Sequence, residues 1–404
     1  MLSQENNELL TRTGPGTPMG EFMRRYWIPA LLSEEIPECD GTPVRVSILG
    51  EKLVAFRDTN GNIGLMDEFC PHRGVSLVYG RNEKCGIHCI YHGWKLDVNG
   101  NIVETPSEHG DSAFIGKLKQ QAYPVREAGG VIWAYMGPSE HMPPFPEFEW
   151  TRLPKSQVYV KKVLLECNYL QSIEGGIDSA HISFLHSSEL KVGHVAMATQ
   201  DTAPKLEVQD TDYGFRYAAL RNKDADHQYV RITPFIMPFH TIVPFADHQP
   251  QAQHAWVPMD DEHNWAFTFT YMRYGPLEPY QSTHPYDLAG KYTKARSLAN
   301  NHLQDREAMK SGSSYSGIVN IADQDAAIQE SMGPIVNRTK EHLGKSDIAV
   351  IHMRRLMLKN LQEFGDGQAP LGTSSGVSYH LVRSEVDITL KDKPWKDIGY
   401  SSGQ

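Results

Sequence analysis

A chain of 404 residues with 40% hydrophobic and 22% charged side chains is long enough for two or three cored domains, which excludes a disulfide-held mini-protein, collagen, a long coiled coil and wholesale disorder. Its formal charge of -10, from 39 basic and 49 acidic side chains, argues against a nucleic-acid binder with a broad basic face. No apolar run approaches the roughly 18 residues of a membrane span, and MLSQENNELL lacks the basic-then-apolar layout of a secretory signal, so a cytoplasmic enzyme with no nucleic-acid or membrane partner is expected.

Between Val44 and Phe69, the apolar runs VRVSILG, KLVAFRD and IGLMDEF are separated by the turn-rich GEK and TNGNIG, which predicts a meandering antiparallel sheet. The pattern continues through Cys89-Ile90-Tyr91, Lys95-Leu96-Asp97 with its VNGN turn, and Gly130 to Tyr135. In MGPSEHMPPFPEF, repeated Pro removes backbone donors and favours an extended connection, so a boundary is expected near 140–155. Residues 1–150 then form an all-β domain with an N-terminal extension, and residues 151–404 a larger second domain. There VYVKKVLLE, KLEVQDTDYGFRYAAL, QYVRITPFIMPFH, HAWVPMD and NWAFTFTYMRY predict strands, while about Tyr292 to Met309 and Asp323 to Glu330 predict helices. The fold class is α+β: an all-β domain followed by a helix-flanked antiparallel sheet. The tail from Lys391 to Gln404 predicts a loop or docking arm.

The five cysteines, Cys39, Cys70, Cys85, Cys89 and Cys167, are odd in number and too sparse for a disulfide framework. Cys70-Pro71-His72 and Cys89-Ile90-Tyr91-His92 each supply one thiolate and one imidazole. Zinc accepts two sulfurs and two nitrogens, but common zinc signatures pair Cys with Cys and His with His instead of mixing them in each knuckle. The mixed knuckles resemble the Rieske [2Fe-2S] domain. That resemblance implies that Cys70 and Cys89 hold one iron and His72 and His92 the other, with neutral imidazoles raising the reduction potential above that of a four-Cys cluster. Gly74 and Gly93 would let the loops approach the cluster closely. Neither knuckle has the second cysteine usual in the cytochrome-complex Rieske proteins, which points to the oxygenase or ferredoxin branch. Cys85 is left over, and an inert buried thiol is expected.

Such a cluster passes single electrons, so the larger domain must explain its presence. In Asn168 to His186, Glu174, Asp178 and His181 would share one face of a continuous helix, whereas His186 lies about 140° around from His181. Both imidazoles can reach one metal only if the helix bends or ends between them. Two histidines and a distant carboxylate would make the facial triad of non-haem Fe(II) oxygenases. Asn168, Glu174-Gly175, Asp178, His181 and His186 resemble the mononuclear iron motif of Rieske ring-hydroxylating oxygenase large subunits, closest to the phthalate dioxygenase-like group.

The resemblance implies a [2Fe-2S] cluster and one mononuclear Fe(II) per subunit, the latter held by His181, His186 and Asp325, with Asp323 and Glu330 as rivals for the carboxylate. It implies that Asp178 bridges to a cluster histidine, His92, of the next subunit in a head-to-tail trimer or stacked trimers, and that Asn168 and Glu174 sit near the site. No strand-linked G-x-G-x-x-G is present, so NAD(P)H enters only through a separate reductase. The pocket is expected around Ile232, Phe235, Met237, Phe239, Trp256, Trp265 and Phe267, with Arg216, Arg221 and Arg231 as candidate grips for a substrate carboxylate. The leading function is O2-dependent cis-dihydroxylation of an aromatic carboxylate. The alternatives are a monooxygenase that removes O- or N-methyl groups or cleaves an ether, and a non-catalytic iron-sulfur electron carrier.

Overall fold

Val44–Ile48, Glu51–Arg57 and Ile63–Asp67 pair antiparallel in chain order, as the alternating runs predict. The computed structural model describes residues 2–109, 113–191, 196–246, 248–278 and 285–399. A ribbon of four short strands, Arg81–Asn82, Ile87–His88, Lys95–Leu96 and Ile102–Glu104, faces the meander. Between them lies a small core of Val54, Phe56, Met66, Leu77, Ile87 and Trp94, with Cys70 and Cys89 at its margin.

A third sheet, Trp27–Leu32, Val131–Tyr135 and Val125–Ala128, is built from the first 150 residues but belongs to the other core. Trp133 stacks on Trp150 and Phe269, and Leu31, Ile132 and Tyr135 join the same buried cluster as Phe215 and Phe235. Burying each such ring contributes on the order of 3 kcal/mol, so this shared core fixes the cluster-side sheet against the large domain. The N-terminal helices Gln4–Thr11 and Pro18–Met23 pack on the long helix Ile348–Gly365.

The large domain is an antiparallel eight-stranded sheet. Its order is Val158–Leu165, Asn264–Tyr271, Gln251–Pro258, His240–Val243, His227–Ile236, Gly214–Asn222 and Lys205–Thr211, and Glu385–Leu390 also pairs with His227–Ile236. The helices Tyr169–Gly176 and Ile321–Ser331 cover the face that carries the site. No helix among the described residues is long and apolar enough to cross a membrane.

Two sequence expectations change, and the tail settles on one of its two alternatives. The helix over Tyr292 to Met309 is replaced by a short turn, Leu298–Leu303, and a helix that starts only at Arg306. Asn301, His302 and Leu303 take left-handed φ of 49°, 52° and 48°, and Arg296 Nη1 pins the turn by donating to the carbonyls of His302 and Leu303. The strand Glu385–Leu390 is an addition: EVDITL alternates polar residues with Val386, Ile388 and Leu390, the period of a strand, and it pairs with His227–Ile236. The tail does dock: Trp395 and Ile398 bury against Ala218, Val230 and Ile232, and Arg216 donates to the carbonyls of Lys396 and Ile398 at 2.7 and 3.1 Å. Residues 400–404 lie outside the described residues.

His240 sits in the shared core against Trp133, Phe148 and Phe239, and burial holds it down to about 3. Unfolded, it titrates near 6.5, so between these values only the unfolded chain binds the proton. Its contribution is therefore full above about pH 6.5 and falls as the pH drops, by about 1.4 kcal/mol per unit. His240→Phe is expected to flatten the acid limb of a plot of unfolding midpoint against pH. An unchanged slope would remove His240 as its source.

Candidate iron sites and substrate cavity

The two Cys/His knuckles repeat one backbone pattern. Cys70 N donates to Val75 O and Gly74 N to Cys70 O, both at 2.8 Å; Cys89 N donates to Trp94 O at 2.8 Å and Gly93 N to Cys89 O at 2.9 Å. Each turn closes through a glycine in the left-handed region, Gly74 at φ 73° and Gly93 at φ 77°, and a Cβ on Gly93 would meet Pro106 at 2.7 Å. Cys70 and Cys89 are buried free thiols, and the His72 and His92 rings lie 4.5 Å apart. Burial pushes Cys70 up to about 11, opposed by the His72 amide and reinforced by the neighbouring Cys89. His72 stacks on Trp94 at 4.6 Å, and His92 Nδ1 is buried without a protein partner among the described residues. Two converging thiols and two converging imidazoles fit a cluster with sulfur ligands on one iron and nitrogen ligands on the other. Cys85 differs from expectation: it is exposed, in a left-handed turn, with Asn60 Nδ2 donating to its sulfur at 3.2 Å.

In the larger domain the helix stops where two histidines need it to stop. Tyr169–Gly176 ends at Gly175-Gly176, and a separate turn, His181–Ser183, follows. A Cβ on Gly176 would fall 2.1 Å from the Trp256 ring, so only glycine lets the helix end lie against the sheet. Freed from helical spacing, His181 Nε2 and His186 Nε2 come to 3.1 Å, and Asp325 Oδ1 lies 3.5 and 3.1 Å from them. Among the described residues these three form the group whose donor atoms all lie within 4.8 Å.

The surrounding partners set the tautomers. Gln324 Nε2 donates to Ile318 O at 2.7 Å, so its Oε1, 2.7 Å from His186 Nδ1, accepts a hydrogen bond from Nδ1–H and leaves the unprotonated His186 Nε2 free to ligate. Asp178 Oδ2 stands 3.6 Å from His181 Nδ1, while its Oδ1 accepts from the Ala180 amide at 2.7 Å. Burial lowers His181, but Asp178 and Asp325 outweigh it and the imidazole is raised; burial raises Asp178, but His181 outweighs it and the carboxyl is lowered.

The rival acids face elsewhere. Asp323, opposite Asp325 on the helix, accepts from Asp287 N at 2.8 Å, and Glu330 pairs with Lys294 Nζ at 2.6 Å. Asn168 caps Tyr169–Gly176 and ties it to Thr11 and Asp261 through their carbonyls. Glu174 turns away from the histidines into Arg338 and Arg354, at 2.9 and 2.7 Å. Both therefore build the scaffold that carries the histidines.

A cavity of about 600 Å³ opens beside the triad. Of the seven apolar residues expected to line it, Trp256 does. Ile232 packs outward against Trp395, while Phe235, Met237, Phe239 and Phe267 lie in the main core and Trp265 is half-buried at its edge. Alternation explains the error: Arg231 and Thr233, and likewise Thr268 and Thr270, face the cavity while their neighbours Ile232 and Phe267 point away. Arg216 is spent on the tail, and Arg221 donates to Ser179 O and Asp201 O at 2.5 and 3.0 Å. Arg231 lines the cavity, is 6% exposed, and its guanidinium has no hydrogen-bond or ion-pair partner among the described residues. His254, absent from the expectations, also lines it; Thr268 Oγ1 meets its Nδ1 at 3.2 Å, and burial holds it down to about 4.

Residues 26–124 match the Rieske [2Fe-2S] domain and residues 134–403 the domain described as LigXa C-terminal domain like. The chain belongs to the Rieske oxygenases. It is 42% identical to the phthalate 4,5-dioxygenase oxygenase subunit of Pseudomonas putida over 98% of this chain and 94% of that one. It is 39% identical to the 3-chlorobenzoate-3,4-dioxygenase oxygenase subunit of Comamonas testosteroni, over 98% and 97%. Dicamba monooxygenase, at 17% identity and a TM-score of 0.63, shares the fold over 86% of this Rieske oxygenase and all of that chain.

Proposed function

We propose that this Rieske oxygenase adds both atoms of O2 to the ring of an aromatic carboxylate, giving a cis-dihydrodiol with two electrons and two protons consumed. The observation that carries the reading is a buried guanidinium, Arg231, partnerless among the described residues and in the same cavity as His181, His186 and Asp325. A buried cation without a counter-charge is costly unless a ligand supplies one. The two full-length relatives named above act on aromatic acids, which agrees.

In this reading the [2Fe-2S] cluster lies on Cys70, Cys89, His72 and His92 within residues 1–150, and a mononuclear Fe(II) on His181, His186 and Asp325 within residues 151–404. The bound metals supply electron storage and O2 activation. The chain's own residues do the rest: Gln324 accepts from Nδ1–H of His186, the Asp178 carboxylate faces Nδ1 of His181 at 3.6 Å, Arg231 orients the carboxylate, and Trp256 with Gly176 closes one wall. Both relatives are oxygenase subunits of larger systems, and a separate reductase supplies the electrons here. The chain acts as a head-to-tail trimer or stacked trimers, with Asp178 beside the partner subunit's His92. Apolar exposure at both ends supports this: Ile90 and Tyr91 on the cluster tip are 59% and 52% exposed, and Phe184, Tyr315 and Ile328 stand exposed on the catalytic domain.

Iron analysis on the fully loaded protein tests the reading. Three irons per chain are expected, falling to two in His186→Ala with the visible spectrum of the cluster retained. Two irons in the loaded wild type would make the chain an electron carrier. Product analysis then separates the chemistry: a vicinal cis-diol supports the reading, whereas formaldehyde with a phenol or amine would place the chain among demethylases.

A further inference from the structure

The cavity's charges can be counted. Of the residues that line it, Arg231 is the single Lys or Arg, and the residues outside the described set contain neither type. The acids on its wall are Asp178, Glu189 and Asp325. Two of its three described histidines face Asp325, and His254 is held down to about 4, so it carries no charge near neutral pH. Arg231 is flanked on its own side by Tyr217 and Thr233, which pair across neighbouring strands. The wall on Gln251–Pro258 and Asn264–Tyr271 presents Ala252, His254, Trp256, Thr268 and Thr270, all uncharged or hydrogen-bonding. The cavity thus has one cationic corner and one neutral, partly polar wall.

We propose that the substrate carries a single carboxylate, taken by Arg231, and turns an uncharged substituent toward the wall of His254, Trp256 and Thr268. This rests on the reading of the cavity as an aromatic-acid site and narrows it. The named substrates of the two relatives differ in this respect: phthalate has two carboxylates and 3-chlorobenzoate one. A second carboxylate in this cavity would lose water without meeting a second guanidinium or ammonium; Asp325 offsets part of the iron's charge in the loaded protein, and the two acids that ligate no metal, Asp178 and Glu189, also line the cavity. A hydroxyl or chlorine on the ring meets no such cost, and His254 offers its Nε2 side to a hydroxyl while Thr268 holds Nδ1.

Binding of size-matched ligands to the metal-loaded wild type, followed by calorimetry at about pH 7.5, tests the charge count. Monomethyl phthalate and phthalate share a skeleton and differ by one charge; benzoate, 3-chlorobenzoate and methyl benzoate complete the set. The half ester is expected to bind at least about tenfold more tightly than phthalate, and 3-chlorobenzoate more tightly than methyl benzoate. Arg231→Gln should abolish the preference for acid over ester, with Arg231→Lys restoring part of it. Phthalate binding as tightly as its half ester would overturn the inference while leaving the aromatic-acid reading intact. Methyl benzoate binding as well as the acids would overturn both. The wild-type comparison stands even if the variants fold poorly, and circular dichroism reports on that.

Discussion

Replacing Asp178 by Asn is expected to leave three irons per chain and the cluster spectrum in place while cutting product yield in a single turnover by about 10- to 100-fold. The carboxylate does two separable jobs. One oxygen accepts from the Ala180 amide and shapes the turn that delivers His181. The other faces His181 Nδ1, with the side chain partly open to solvent. An asparagine side chain keeps the first, because its carbonyl oxygen can accept the same amide. It turns the second into a donor facing a donor, so the His181 proton loses its acceptor and any bridge to the partner subunit's His92 is broken. Asp178→Ala removes both, and is expected to lose mononuclear iron as well as turnover. Metal content therefore separates a loss of positioning from a loss of electron passage. Wild-type single-turnover yield in Asp178→Asn would overturn the bridge assignment, since the turn itself needs only an oxygen that accepts from Ala180.

The sites are legible where residue spacing alone makes the chemistry. Two mixed Cys/His knuckles and the Asp178, His181, His186 stretch can be read directly, because short turns keep ligands close in sequence. Helical periodicity taken alone would reject the His181 and His186 pair; the Gly175-Gly176 break against Trp256 restores it. Asp325 is favoured over Asp323 by the resemblance alone, and the structure supplies the physical reason: two residues apart on a helix, they face nearly opposite ways. The cavity wall is misread because apolar residues mark strands but not which face of a strand meets the site. Arg231 and His254 line it where the apolar pattern breaks, and that break is the available signal. Gln324 carries no signal at all, being defined by its contact with His186.

Glu174→Ala is expected to destabilise the large domain by about 3 to 5 kcal/mol, the largest effect on folding among these substitutions. Its carboxylate receives Arg338 Nε and Nη2, both at 2.9 Å, and Arg354 Nε at 2.7 Å, with the Arg338 side chain wholly buried. Arg354 keeps a second acid, Glu341, at 2.6 Å, whereas among the described residues Arg338 retains only the Asn7 side chain at 3.1 Å. Truncation therefore strands one buried guanidinium in particular. Burial raises Glu174, but Arg338 and Arg354 outweigh it and hold the carboxyl below its ordinary range. Its contribution is thus complete above the unfolded value near about 4.3 and is lost as the pH falls through the folded value. Glu174→Gln should show a smaller loss at neutral pH and a weaker acid dependence than wild type. Because Glu174 sits one turn before the segment that delivers His181 and His186, mononuclear iron should fall with stability while cluster iron persists. Restoring charge balance in Glu174→Leu/Arg338→Met should recover much of the melting temperature. Equal melting of Glu174→Ala and wild type would show instead that solvent reaches both arginines.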